Sequence, residues 1–445
     1  MRVVIINKSD ITGGAAIVSR RLMEALRKEG IDAKMLVIEK LTDSPNVVSV
    51  YDNKGFSISR NGKKSCFRLS DPYIRYKFLL ERLKIFIANG FNRQTLFKID
   101  SGEEGLPLWN HPLVKDADAI LINWINQGML SLKGIKKIQA LGKPLIWTMH
   151  DMWEMTGICH HAGTCDHFIE QCGKCHLLGN KASSNDLSHK IWKQKFLMYS
   201  DNDLMKKTAF VAVSTWLKSK ALQSSLLKAQ RLYVIPNAFN LSALTSIDDN
   251  SERQKEGKIR ILFGAARLDD PIKGLDTFKE TCRILKNNYP DIASNLEVAM
   301  FGNIKNPLAL EGFELPLIHL GILRGDDAVK QAYKNSHILV SSSSYETLPG
   351  TLVEAQAYGC IPVSFNQGGQ KDIVNDGETG FIAQYDETFA NRAENLSRAI
   401  IKAVDIIGKP DEYKDMICRM QQNVKNKFSY SQIAKRYIAL IEELA

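Results

Sequence analysis

Short apolar runs alternate along this chain with longer stretches that are apolar every third or fourth residue. The first run, residues 2–6, predicts a buried strand. The glycine turn Asp10-Ile11-Thr12-Gly13-Gly14 follows it, then a helix over 15–29 closed by Gly30, then a strand over 34–38. Strand, helix and strand in that order make a βαβ opening, the signature of a doubly wound parallel sheet. The alternation predicts further strands over 119–124, 144–149 and 231–235, and a strand from 211 with Ser214 capping the next helix. Residues 241–258 are rich in Ser, Asp and Asn and read as a linker. A second series opens beyond it, with strands over 260–264, 295–302, 338–340 and 361–365 and a helix over about 350–358. The tail, 430–444, carries the apolar spacing of an amphipathic helix.

The chain has 445 residues, too many for one ordinary core and suited to two domains of about 200 residues each. No apolar run reaches the length of a membrane span, and the first strand turns polar after six residues, unlike a secretory leader. A cytoplasmic location is therefore the expectation.

Charge sharpens one region. The net charge is +10, and eleven Lys or Arg stand between Lys54 and Lys98 against Asp71 and Glu81 alone. The same stretch carries Phe67, Tyr73, Tyr76, Phe78, Leu79, Leu80, Leu83, Phe86 and Phe91. It reads either as a contact with an anionic membrane or acceptor, or as a solvated basic face over a small local core. No motif points to nucleic acid, and none is expected as a partner.

The candidate chemistry concentrates in 338–381. Pro349 suits the first turn of a helix, which leaves the amides of Gly350 and Thr351 as donors at a positive helix end. Glu346 and Glu354 flank that end. Carboxylates accept hydrogen bonds and repel phosphate, so a ligand offering both phosphates and hydroxyls, such as a nucleotide sugar, fits the pair. Earlier, Arg267 and Lys273 sit in one loop and fit a diphosphate clamp. Each of these side chains, taken alone, also reads as an ordinary solvated charge. His150 and Asp151 close the strand over 144–149, at the end where parallel sheets bind ligands. Gly13 and Gly14 allow close backbone approach, but the full dinucleotide glycine pattern is lacking.

Four cysteines, Cys159, Cys165, Cys172 and Cys175, fall within seventeen residues, the last two as Cys-x2-Cys. In a reducing compartment this favours a structural zinc, with His160, His161, His167 and His176 as substitute ligands. Unligated thiols in a surface loop are the alternative.

Together these motifs resemble the retaining glycosyltransferases of family 4. Their Glu-x7-Glu is matched by Glu346 and Glu354, their next strand by 359–363, and their glycine turn by Gly368-Gly369. Asp372 stands where family members often carry Glu. The His-Asp-Met-Trp start at His150 with its cysteine-rich insert is similar to a bacterial colanic-acid, capsule and exopolysaccharide subgroup of group 1.

The resemblance implies the α/β GT-B fold: two Rossmann-like doubly wound parallel sheets, 1–240 and 259–428, facing a cleft. The helix over 429–445 would return to the first domain. It implies transfer of a sugar from a UDP- or GDP-type donor to a hydroxyl of a glycan or lipid-linked acceptor. Anomeric retention, a role in surface polysaccharide synthesis at the inner face of the membrane, and catalysis without a cofactor follow from the same resemblance. By it, His150, Glu346, Arg267 and Lys273 are catalytic, His150 touching the donor sugar with Asp151 in support. The donor is bound by Gly13, Gly14, Arg267, Lys273, Leu323, Glu346, Pro349, Gly350, Thr351 and Glu354, with backbone near Leu323 against the base. A GT-B epimerase, or a non-catalytic nucleotide- or polyanion-binding protein, are the other readings.

Overall fold

The computed structural model describes residues 1–51, 72–241 and 257–445. Most of the expected linker and the first half of the basic stretch, 54–71, lie outside the described residues. The chain divides into two compact units, Met1–Ala238 with Tyr430–Ala445, and Phe239–Ser429.

The first unit is built on seven parallel strands: β1 (Arg2–Ile6), β2 (Asp32–Val37), β3 (Val47–Ser49), β4 (Ala119–Ile122), β5 (Leu145–Met149), β6 (Thr208–Ala212) and β7 (Leu232–Val234). Their order is β3-β2-β1-β4-β5-β6-β7, so the winding reverses between β1 and β4. β4, β5 and β6 are buried along their whole length, which is why they read as continuous apolar runs without alternation.

The helix Gly14–Lys28 lays Ala16, Ser19, Leu22, Met23, Ala25 and Leu26 onto this sheet, one stripe at helical spacing. The terminal helix Tyr430–Leu444 packs against it and adds Tyr430, Ile433, Ala434, Tyr437, Leu440, Ile441 and Leu444 to the same core. Polar pairs fix its register: Tyr430 donates to Glu24 at 2.8 Å, and the Tyr437 and Thr148 hydroxyls meet at 3.0 Å. The amphipathic tail is thus the missing wall of the first unit.

The second unit has six parallel strands: β8 (Ile259–Arg267), β9 (Leu296–Asn303), β10 (Leu317–His319), β11 (Ile338–Ser341), β12 (Ile361–Phe365) and β13 (Phe381–Ala383). The order β10-β9-β8-β11-β12-β13 reverses between β8 and β11. Its core joins Ile261, Phe263, Val298, Met300, Val340, Val363 and Phe365 from the strands to Phe278, Leu396 and Ile400 from the helices. Such a reversal opens a crevice beyond the carboxyl ends of the two strands that part there. Both units therefore place a candidate site by topology alone.

Most elements stand within a few residues of their expected limits. β3 and β13, three residues each, carry too few apolar positions to show a period. Pro349 is the cap preceding the helix Gly350–Ala357 and not part of its first turn. Among the described residues no helix is long and apolar enough to cross a membrane.

Candidate functional site

At the reversal of the second sheet, β8 runs out at Arg267 and the chain turns through Pro271–Lys273 into the helix Leu275–Asn288. Gly274 makes that turn at φ 69°, and a Cβ there would stand 2.1 Å from the carbonyl oxygen of Ser342. Only glycine lets the two loops approach so closely. The Ser342 hydroxyl donates toward the carbonyls of Lys273 and Gly274 at 3.0 and 2.8 Å, and the Ser344 amide donates to the Ile272 carbonyl at 2.9 Å. The serine run after β11 therefore holds the Lys273 turn in place.

This pinning sets Lys273 against Glu346, with Nζ 2.6 Å from Oε1. Glu346 is held in its turn by its backbone, whose carbonyl accepts from the Gly369 amide at 3.0 Å. A Cβ on Gly368, at φ 117°, would come within 2.0 Å of that carbonyl. Arg267 lies in the same loop as Lys273 but pairs with Asp269 at 3.3 Å and Asp270 at 3.5 Å, not with the glutamates. Glu346 itself precedes the helix Gly350–Ala357, whose Pro349 cap brings no side-chain hydrogen bond to the helix start. The amides of Gly350 and Thr351 open that helix and point away from its ladder. One turn in, Glu354 accepts a hydrogen bond from the Tyr333 hydroxyl at 3.2 Å, an orienting partner that sequence spacing does not reveal. Leu323, itself half-buried, follows β10 in an irregular and mostly exposed segment.

At the strand ends of the first unit, His150 Nε2 lies 2.8 Å from Asn123 Oδ1. Its ring is surrounded by protein yet keeps some accessible surface beside a cavity of about 10 Å³, lined by Val18, Asn123, Thr148, Pro236 and Tyr437 among others. Burial lowers its pKa to about 4, which keeps the ring neutral near pH 7.

Asp151 turns the other way. Its Oδ1 accepts from the Trp153 amide at 2.8 Å, and its Oδ2 faces His160 Nδ1 at 2.8 Å. His160 Nε2 meets Asp100 Oδ2 at 2.7 Å, and Asp100 pairs with Arg82. Burial opposes ionisation of Asp151, but His160 and the Trp153 amide outweigh it and hold the carboxyl low. His160 thus ties the cysteine-rich insert to the strand end carrying His150. Gly13 opens the glycine loop at φ 91°, with open space where a Cβ would sit on either Gly13 or Gly14.

Cys159, Cys165, Cys172 and Cys175 gather in one loop region, and the other three all oppose ionisation of Cys159. Burial first, then this proximity, lifts Cys159 to about 12 and Cys172 to about 11. The Gly157 amide donates to the Cys172 sulfur at 3.1 Å. Among the described residues, no group of three or more His, Cys, Asp or Glu side chains is arranged to hold a metal ion. His160 is engaged by two aspartates, and His167 by the Gly173 carbonyl at 2.8 Å.

Residues 246–419, which span most of the second unit, match the profile of "Glycosyl transferases group 1". The matched segment contains Arg267, Lys273, Glu346 and Glu354. A protein from the cps region of Klebsiella pneumoniae, itself uncharacterized, is 24% identical over 269 residues, covering 56% of this chain and 66% of its own. The chain spans less than two thirds of the length of the curated relatives it first matches.

Among solved structures, a glycosyltransferase from Rickettsia africae superposes with a TM-score of 0.61 at 14% identity, over 100% of this chain and 98% of its own. HepE from Anabaena, crystallised with UDP and glucose, gives 0.55 at 13% identity over the whole of both chains. At such identity the likeness speaks for the fold, which is GT-B.

Proposed function

We propose that this protein transfers a sugar from a nucleoside diphosphate sugar to a hydroxyl of a glycan or lipid-linked acceptor, with retention at the anomeric carbon. The Lys273–Glu346 pair, fixed at the reversal of a parallel sheet beside a helix start, carries this reading. It offers a cation to phosphate and a carboxylate to sugar hydroxyls within one small region. In the reaction the bond from the anomeric carbon to the diphosphate oxygen breaks, and that oxygen keeps the electron pair. Arg267, Lys273 and the amides of Gly350 and Thr351 would stabilise the charge growing there. The acceptor oxygen forms the new bond and gives up its proton to the departing diphosphate oxygen. Glu354, steadied by Tyr333, would hold the ribose hydroxyls, and His150 would hydrogen-bond a sugar hydroxyl as a neutral ring.

A role in surface polysaccharide synthesis is supported by the cps-region relative, and a uracil nucleotide by the ligand of HepE. The test is turnover of UDP- and GDP-sugars with glycan or lipid-linked acceptors. Arg267→Ala and Glu346→Ala should each lose about a hundredfold to a thousandfold in kcat with the fold intact. Wild-type turnover in either variant would contradict the assignment.

For the cysteine loop we propose a structural zinc held by Cys159, Cys165, Cys172 and Cys175. The mutual proximity of four thiols and the N–H donor on Cys172 support it, since both favour shared thiolates once a cation is present. Binding would draw the four sulfurs closer together.

A further inference from the structure

The helix Pro72–Ala88 is apolar on two sides. Its inner side is accounted for. Ile74 and Ile85 are buried, Glu81 accepts from the Gly102 amide at 3.0 Å, and Arg82 pairs with Asp100. Its outer side is exposed. Tyr73, Tyr76, Leu79, Leu83 and Ile87 recur every three or four residues, so they share one face. With Phe91 and Phe97 just beyond the helix, all seven keep 49% to 61% of their surface exposed. Seven of the eighteen exposed large hydrophobic residues among the described ones therefore fall within 25 positions. Scattered exposed leucines need no explanation, but a contiguous row does.

The exposed charges within residues 72–98 are all cationic. Arg75 lies on one flank of the face and Lys77 and Lys84 on the other, with Arg93 and Lys98 in the exposed segment that follows. Between Pro72 and Lys98 the single acidic residue is Glu81, which is buried on the opposite side. Glu104 partly neutralises one flank by pairing with Lys77 at 2.8 Å and Lys84 at 2.6 Å. Arg75, Arg93 and Lys98 form no ion pair with another described residue. An apolar face edged by cations matches the layering of a bilayer surface, acyl chains below and anionic headgroups above.

We propose that the outer face of the helix Pro72–Ala88, extended by Phe91 and Phe97, docks on an anionic membrane surface. The inner face of the same helix leads through Arg82, Asp100 and His160 to Asp151, the neighbour of His150. Docking would thus set the strand ends of the first unit beside the lipid surface, the place where a lipid-linked acceptor is found. That last step rests on the proposed transfer reaction, but the docking itself does not.

The test uses the whole chain and reads vesicle binding without any sugar donor. Vesicles of phosphatidylglycerol and phosphatidylethanolamine are compared with pure phosphatidylcholine by co-sedimentation. Binding to the first alone is expected, weakening with salt. The pair Leu79→Ser and Leu83→Ser should lower the partition coefficient about tenfold or more. Arg75→Gln, Arg93→Gln and Lys98→Gln should each lower it about fivefold. Unchanged thermal unfolding of the serine pair is expected, because these side chains already face solvent.

Three results would overturn the proposal. They are no binding to anionic vesicles, binding indifferent to both sets of variants, and a Leu79- and Leu83-dependent dimer in sedimentation. Failure of sugar transfer with vesicle binding intact would count against the enzymatic reading alone.

Discussion

Lys273 and Glu346 hold each other across the ends of two neighbouring strands, and two glycines, Gly274 and Gly368, make this geometry available. Gly274 combines a positive φ with backbone contact to Ser342, so Gly274→Ala meets two penalties, strain and collision. Strain of this kind costs about 1–3 kcal/mol. Gly312 provides the control, since it has φ 74° but open space around it. Gly274→Ala should lower the unfolding midpoint more than Gly312→Ala and should weaken nucleotide binding, which Gly312→Ala leaves alone. Equal effects would mean that the close approach to Ser342 is unimportant.

His150 offers a second test at this scale. Its pKa of about 4 lies below the ordinary 6.5, so the unfolded chain takes up a proton between those values that the native ring refuses. The stability due to this group is complete above pH 6.5 and is lost as pH falls through about 4. The midpoint of His150→Gln should therefore fall less steeply from pH 7 to 4.5 than that of the wild type. Parallel curves would place His150 in a solvated setting.

Among the elements, legibility followed the kind of force that makes each one. β12 matches its expected limits of 361–365, and the terminal helix its limits of 430–444, because burial writes an apolar run or stripe directly into the sequence. The Glu346–Glu354 spacing was legible as a helix-start motif, and Ser214 as a cap, whose side chain accepts from the Leu217 amide at 3.2 Å. The partners Asn123 for His150, Tyr333 for Glu354 and the Asp100–His160–Asp151 bridge were not legible. They join residues that are distant in sequence and leave no local period.

The basic stretch misled in part for the same reason. Arg82, Lys77 and Lys84 counted as surface charge, yet Asp100 and Glu104, beyond the stretch, engage them. The cysteine insert is the element where composition says most and arrangement least. Metal analysis of protein prepared without chelator should find about one zinc per chain, lost in Cys172→Ser. Zinc-free wild-type protein would leave these cysteines as unligated thiols in a loop.

For the whole molecule, two doubly wound sheets each bring polar residues to their point of reversal, and the segment that matches the group 1 profile covers that point in the second. The central claim is that a nucleoside diphosphate is held there by Arg267 and Lys273. Calorimetric titration of UDP and of GDP into the wild type and into Lys273→Ala tests it most directly. One nucleotide should bind the wild type. Loss of a charge-assisted phosphate contact, about 1.5–3 kcal/mol, should weaken it by about tenfold or more in the variant. Binding of neither nucleotide, or equal affinity in both proteins, would contradict the account.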